Sequence, residues 1–157
     1  DPEHALVIHV RLEDCAPFKR EEPRSTGKKV GERMFQGYIG DSALQTLIKR
    51  LHIRFPKKEI YLMTSSQDCD LERCRSLVKD LPYVKGVVGD SNLDYTLWQM
   101  MRSDILVLSR STFSMVAGLL HQGSHCFTCE NWVHLEDMLG EENQGAWEDL
   151  SSFLREE

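Results

Sequence analysis

Short apolar runs alternate with helix-length amphipathic segments along most of this chain. Ala5–Val10, ALVIHV, is apolar and rich in β-branched residues, which predicts a buried strand. Asp41 or Ser42 can cap a helix through about Arg54, with Leu44, Leu47, Ile48 and Leu51 at helical spacing and Pro56 just beyond. Glu59–Met63 is a second strand. Asp70 then caps a helix that puts Leu71, Cys74, Leu77 and Val78 on one face, and Pro82 closes it. Val84–Val88 is a third strand, and Asp90 or Ser91 opens a helix to about Arg102. Asp104–Leu108 is a fourth strand, a helix runs from Thr112 to near Gly123, and His125–Thr128 is a fifth strand. A short helix over Val133–Leu139 and an amphipathic one over Gln144–Leu154 complete the pattern.

Repeated strand-helix units of this size predict an α/β domain: a Rossmann-like parallel sheet of about five strands with helices on both faces, spanning residues 1–157 as one unit. Ligands of such sheets bind at the carboxyl ends of the strands. Three segments share that rim: the loop after Val10, Thr64–Asp68 after the second strand, and Ser109–Ser114 after the fourth. Residues 11–40 read as one long loop, with Pro17, Pro23 and several glycines around the charge-dense EDCAPFKREEPRSTGKK. A loop this long is uncommon in a compact domain and is often functional.

Composition narrows the classes of function. Of 157 residues, 41% are hydrophobic and 28% charged, ordinary for a globular domain with a real core. A net charge of −6 argues against a general nucleic-acid binder but leaves room for a local basic pocket. No apolar run approaches the roughly 18 residues of a membrane span. The N-terminus has neither a signal-peptide pattern nor a Met, so the chain reads as excised from something longer. Cys15, Cys69, Cys74, Cys126 and Cys129 are odd in number, and there is no Asn-x-Ser/Thr site. Both point to a reducing, cytoplasmic setting, or to the Golgi lumen if the chain belongs to a longer membrane-anchored protein. Cys126-Phe-Thr-Cys129 has redox or zinc spacing, but it lies in a strand where His125 and Cys126 point to opposite faces, so buried thiols are expected.

The richest chemistry lies between two apolar segments. Ser109, Ser111, Thr112 and Ser114 surround Arg110 at the start of an apolar helix. Ser111 suits the N-cap, and a simple cap needs one hydroxyl. The remaining hydroxyls and the guanidinium suit a phosphate held at a helix N-terminus. In the first segment, alternation puts His9 and Arg11 on one side of the chain, where they could grip a base and a diphosphate. An Arg11–Asp14 surface ion pair beside a core histidine would satisfy the same pattern.

The segments together resemble the fucosyltransferase superfamily, especially the alpha-1,2-fucosyltransferases. HVRLED, from His9, resembles its HVRRGD-type motif, and IYLMTSSQD, residues 60–68, resembles the strand and loop that reads like FVFSDD there. DYTLWQMMRSDILVLSRSTFSMVAGLL, residues 94–120, resembles the segment D-F-x-L-M, strand, N-S-T-F-S-W-W-x-A-x-L, and CFTCENW resembles a closing strand-Pro-x-x-W step. The order agrees over about residues 5–135, and Ser111-Thr112-Phe113-Ser114 is the most specific match.

The resemblance implies one lobe of a two-domain GT-B fold: the C-terminal lobe, which holds the GDP-sugar donor. It implies inverting transfer of fucose from GDP-fucose to a sugar hydroxyl, without a bound metal or other cofactor. The partners would be the nucleotide sugar, a carbohydrate acceptor and an N-terminal domain. Carried over, His9 lies near the guanine or ribose, Arg11 on the diphosphate and Asp94 on the base edge. Ser111, Thr112, Phe113 and Ser114 wrap the phosphates. Arg11 and the helix dipole would stabilise charge on the leaving GDP. The acceptor's general base is not fixed by a motif; Asp14 is assigned to it, from a rim set that includes Glu13, Glu21 and Glu22. Leu12 replaces the second Arg of the family motif, Glu13 its Gly, and Met115-Val116 its Trp pair; Arg110 stands where a small polar residue is usual.

Those departures keep a second class open: a non-catalytic relative that binds a nucleotide sugar or a protein partner. Receiver and flavodoxin-like modules fit less well. No acidic pair follows the first strand without Arg11 intervening, and Arg11–Arg20 has no Gly for a phosphate loop.

Overall fold

A computed structural model describes residues 1, 4–10, 41–109, 111–128 and 148–149. Its elements alternate in chain order: β1 (Ala5–His9), α1 (Asp41–Arg54), β2 (Glu59–Thr64), α2 (Asp68–Val78), β3 (Val84–Gly89), α3 (Leu93–Arg102), β4 (Ile105–Val107), α4 (Thr112–Leu120), β5 (His125–Thr128) and β6 (Glu148–Asp149). The strands form one sheet in the order β3-β2-β1-β4-β5-β6, and every neighbouring pair is parallel. This is the doubly wound, Rossmann-like order, which reverses direction between β1 and β4.

The apolar runs divide between two faces because side chains alternate along a strand. Leu6 and Ile8 of β1 point to one face, where Ile60, Leu62, Ile105 and Val107 join them beneath Leu44, Ile48 and Leu51 of α1 and Cys74 and Leu77 of α2. Ala5 and Val7 point to the other, where they meet Leu106, Leu108 and Cys126 beneath Met100 of α3 and Met115 and Ala117 of α4. Helices therefore cover both faces, two in each half of the chain. All of β1 is buried, which is why its sequence is a continuous apolar run.

Strand ends shift by a residue or so, and three helix boundaries differ from the sequence expectation. α2 opens at Asp68 with Gln67 in the N-cap position, not at Asp70. Asp70 instead lies buried inside the first turn. α3 is capped by Asn92, whose side chain accepts the Tyr95 N–H at 3.0 Å. Asp90 does not cap it, because its carboxylate accepts the Ser66 N–H at 2.8 Å and ties the β2 and β3 loops together. α4 stops at Leu120, short of Gly123.

The sheet also gains a strand. Glu148 and Asp149 lie in the segment read as an amphipathic helix, yet they pair in parallel with Phe127 and Thr128. The backbone groups along the edge of β5 offer these residues a ladder that local periodicity does not reveal. The predicted helix over 133–139 and the long segment 11–40 lie outside the described residues. No helix among the described residues is long and apolar enough to cross a membrane.

Candidate functional site

Where the strand order reverses, β1 and β4 run side by side, with Leu6, Val7 and Ile8 in register with Ile105, Leu106 and Val107. Their carboxyl ends carry His9 and Ser109 onto one spot, although the two are 100 residues apart in sequence. The Ser109 hydroxyl lies 2.7 Å from His9 Nδ1. Both residues are buried, each 8% exposed.

The spot continues into the start of α4. Ser111 is the N-cap residue, in extended conformation, and its hydroxyl accepts the Ser114 N–H at 3.0 Å. The Ser114 hydroxyl in turn accepts the Ser109 N–H at 2.9 Å. The Ser109 and Ser111 hydroxyl oxygens are 3.3 Å apart. Phe113 lies over the same place, its ring centre 5.9 Å from that of His9 and tilted by 56°. Ser114 is fully buried and Ser111 nearly so, so these hydroxyls are structural as well as chemical. With the Ser114 N–H taken by the cap, the N–H groups of Thr112 and Phe113 are the first-turn donors without an intrahelical partner.

The arrangement is a helix N-terminus facing the switch point of a parallel sheet, with a buried imidazole beside it. Backbone donors and partial positive charge at such an end favour an anion. The imidazole and the Phe113 ring, tilted by 56° to each other, put two aromatic side chains beside that helix end.

His9, Phe113, Ser111 and Ser114 are thus brought together as the sequence suggested, and Thr112 begins α4. Asp94 is in the first turn of α3, exposed on the same carboxyl rim but outside the His9–Ser109 network. Arg11 and Asp14, with Glu13, Glu21, Glu22 and Arg110, lie outside the described residues. Ser109 is the member that residue patterns did not single out as a His9 partner. Topology supplies the missing signal, since in this strand order the ends of the first and fourth strands meet.

Cys15 and Cys129 lie outside the described residues, and Cys74 and Cys126 belong to the core. Cys126 is buried under α4, while His125 points to the opposite face and stacks on Phe127 at 5.5 Å between ring centres, 4° from parallel. Burial pushes the Cys74 thiol up to about 11, so it stays protonated and is a core residue rather than a nucleophile. Among the described residues, no group of three or more His, Cys, Asp or Glu is placed to hold a metal ion.

The fold defines the class, a doubly wound α/β domain whose strand order reverses between β1 and β4. Beyond that class, the sequence matches no family model and no curated protein.

Proposed function

We propose that this domain is the donor-binding lobe of a glycosyltransferase that takes GDP-fucose and transfers fucose, with inversion, to a sugar hydroxyl. The observation that carries the reading is the buried His9–Ser109 contact at the strand-order reversal, beside the capped N-terminus of α4. It couples a group suited to a base or ribose with one suited to phosphate, the two halves of a nucleotide. The resemblance of HVRLED and of Ser111-Thr112-Phe113-Ser114 to fucosyltransferase motifs chooses guanine and fucose.

In this reading His9 lies against the guanine or ribose and Asp94 binds the base edge. Arg11 grips the diphosphate, while Ser111, Thr112, Phe113 and Ser114 wrap it. The acceptor oxygen attacks the sugar's anomeric carbon as the bond from that carbon to the β-phosphate oxygen breaks. The electron pair leaves with GDP, where Arg11 and the α4 dipole stabilise it. The acceptor proton passes to a rim carboxylate, assigned to Asp14. The carbohydrate acceptor is held between this lobe and an N-terminal one.

Thermal unfolding of the chain with GDP, UDP and ADP at equal concentration tests the reading. Ligand linkage predicts the largest rise in melting temperature with GDP. An equal rise with UDP or ADP would remove the guanine assignment.

A second reading rests on Leu12 and Glu13, which replace an Arg and a Gly of the family motif. It makes the domain a non-catalytic binder of a nucleotide sugar or a protein partner. Fucose transfer by a two-lobe protein carrying this domain would exclude it. Residues 1–157 alone are expected to bind nucleotide without appreciable transfer, because one lobe forms only half of the cleft. Robust transfer by this chain to a defined sugar would end the requirement for a second lobe.

A further inference from the structure

We infer that the outer face of α3 is the surface on which a second copy of this chain docks, antiparallel and centred on Trp98. The face is apolar where a lone domain would expose polar groups. α3 turns Thr96 and Met100 toward the sheet, while Leu93, Tyr95 and Trp98 are 58%, 54% and 46% exposed. The Tyr95 and Trp98 rings stack, their centres 5.9 Å apart and 17° from parallel, and the Arg102 guanidinium carbon lies 5.6 Å from the Trp98 ring centre. Trp, Tyr and Arg are the residues on which protein interfaces concentrate their binding energy. α4 packs beside α3 and widens the face with Val116, Leu119 and Leu120, all exposed.

Charge identifies the occupant. The chain carries −6 overall, yet α3 has one acid, Asp94, and one base, Arg102, and α4 has no charged residue. Both are exposed, and no ion pair among the described residues includes either of them. Asp94, Trp98 and Arg102 follow one another at four-residue steps, so they share one face of the helix, and the two charges stand about 6 Å of helix to either side of the Trp98 ring. Across a two-fold axis at Trp98, Asp94 of each copy meets Arg102 of the other. The same patch thus complements itself, which is the requirement of an isologous dimer. The antiparallel helix dipoles favour this arrangement too. A strongly acidic or basic partner would call for a face of a single sign.

The interface does not rest on the nucleotide reading, but it shares Asp94 with it. A carboxylate paired with the second copy is withdrawn from a base edge, so GDP binding at that residue and dimer formation oppose each other by reciprocity.

Sedimentation equilibrium of the chain, from micromolar to near-millimolar concentration, tests the interface. The parent should pass from monomer to dimer. Asp94→Arg and Arg102→Glu should each raise the dimer dissociation constant at least about tenfold, because each turns two attractive contacts into repulsive ones. An equal mixture of these two variants should restore the dimer, since every contact then joins opposite charges. Trp98→Ala should weaken pairing by a similar factor through loss of the central contact. All three positions are exposed, and circular dichroism checks that each variant is folded. A parent that stays monomeric overturns the inference and gives the face to another occupant. So does a dimer that neither charge reversal weakens, or a mixture that fails to restore it. Repeating the parent run with saturating GDP separates the two readings. A shift toward monomer supports the shared Asp94, whereas a dimer indifferent to bound GDP leaves the interface in place and removes Asp94 from the nucleotide site.

Discussion

The Ser65 hydroxyl donates to Asp70 Oδ2 across 2.6 Å, and both residues are buried at the carboxyl end of β2. The same hydroxyl accepts the Gln67 N–H at 3.3 Å. Gln67, in the N-cap position of α2, makes no side-chain cap of its own; its backbone N–H is tied through the Ser65 hydroxyl to Asp70. Ser65→Ala should cost about 1–3 kcal/mol, the usual penalty when a buried carboxyl and a backbone donor lose their shared partner. Urea unfolding checks this. A loss under about 0.5 kcal/mol would mean that water takes over both bonds.

Asp70 also shows where sequence reading stopped. An acidic residue ahead of an amphipathic run is the usual mark of a helix start, and Asp70 was expected to be one. Its partner lies behind it at Ser65, and the helix starts earlier, at Asp68. Asp90 and Asn92 make the same point. Either could cap α3, and the choice falls to Asn92 because Asp90 is engaged by Ser66, 24 residues away. By contrast β1 and the IYLM centre of β2 were legible, since a strand covered on both faces writes its burial as an apolar run. Ser111 was legible as a cap because capping is local. Ser109 was not legible as a partner of His9, because that contact depends on which strands become neighbours.

Gly123 follows α4 in the turn that leads to β5. A Cβ built there would fall on the carbonyl oxygens of Ser103 and Asp104, which are backbone atoms with little freedom to move. The turn is pinned on both sides, by the Gln122 N–H to Met101 O at 2.9 Å and the Ser124 N–H to Asp104 O at 2.7 Å. Gly123→Ala should therefore destabilise the domain by about 1–3 kcal/mol through overpacking. Gln122→Ala, a neighbour whose side chain is exposed, is the control and should stay within about 0.5 kcal/mol of the parent. Equal melting temperatures for Gly123→Ala and the parent would show that the turn can open.

The acid limb of stability should depend on Asp104 and His121. Burial by itself would raise the Asp104 value, but hydrogen bonds from Lys58 and Ser124, and the Lys58 charge, hold it below the ordinary carboxylate range. A depressed folded value means stability that is present above the unfolded value, near pH 4, and lost as pH falls through the lower folded one. Burial lowers His121 as well, against the raising effects of its bond to Ser103 O and of the Asp104 charge. The unfolded chain then protonates His121 first, so stability begins to fall below about pH 6.5. Melting curves from pH 8 to pH 3 should show both declines. Lys58→Met should flatten the lower one and leave the upper. Were the upper decline to persist in His121→Gln, another group would be its source.

The two roles of the segment at the start of α4, cap and ligand site, separate in a pair of substitutions. Ser111→Ala removes the acceptor of the Ser114 N–H and breaks the hydroxyl chain toward His9. Losing a helix cap costs about 1 kcal/mol, so the free protein should melt earlier. In the proposed site the same change removes a phosphate contact, so GDP binding should weaken too. Arg11 is different in kind: in the proposed site it makes a charge-assisted bond to the diphosphate, worth roughly 1.5–3 kcal/mol. Arg11→Ala should weaken GDP binding about ten- to a hundredfold while the melting temperature of the free protein stays within a degree or so of the parent. A helix end that only caps gives another pattern. Ser111→Ala would still lower the melting temperature, and Arg11→Ala would bind GDP as tightly as the parent. Calorimetric titration of both variants, alongside their unfolding curves, decides between a cap and a nucleotide site.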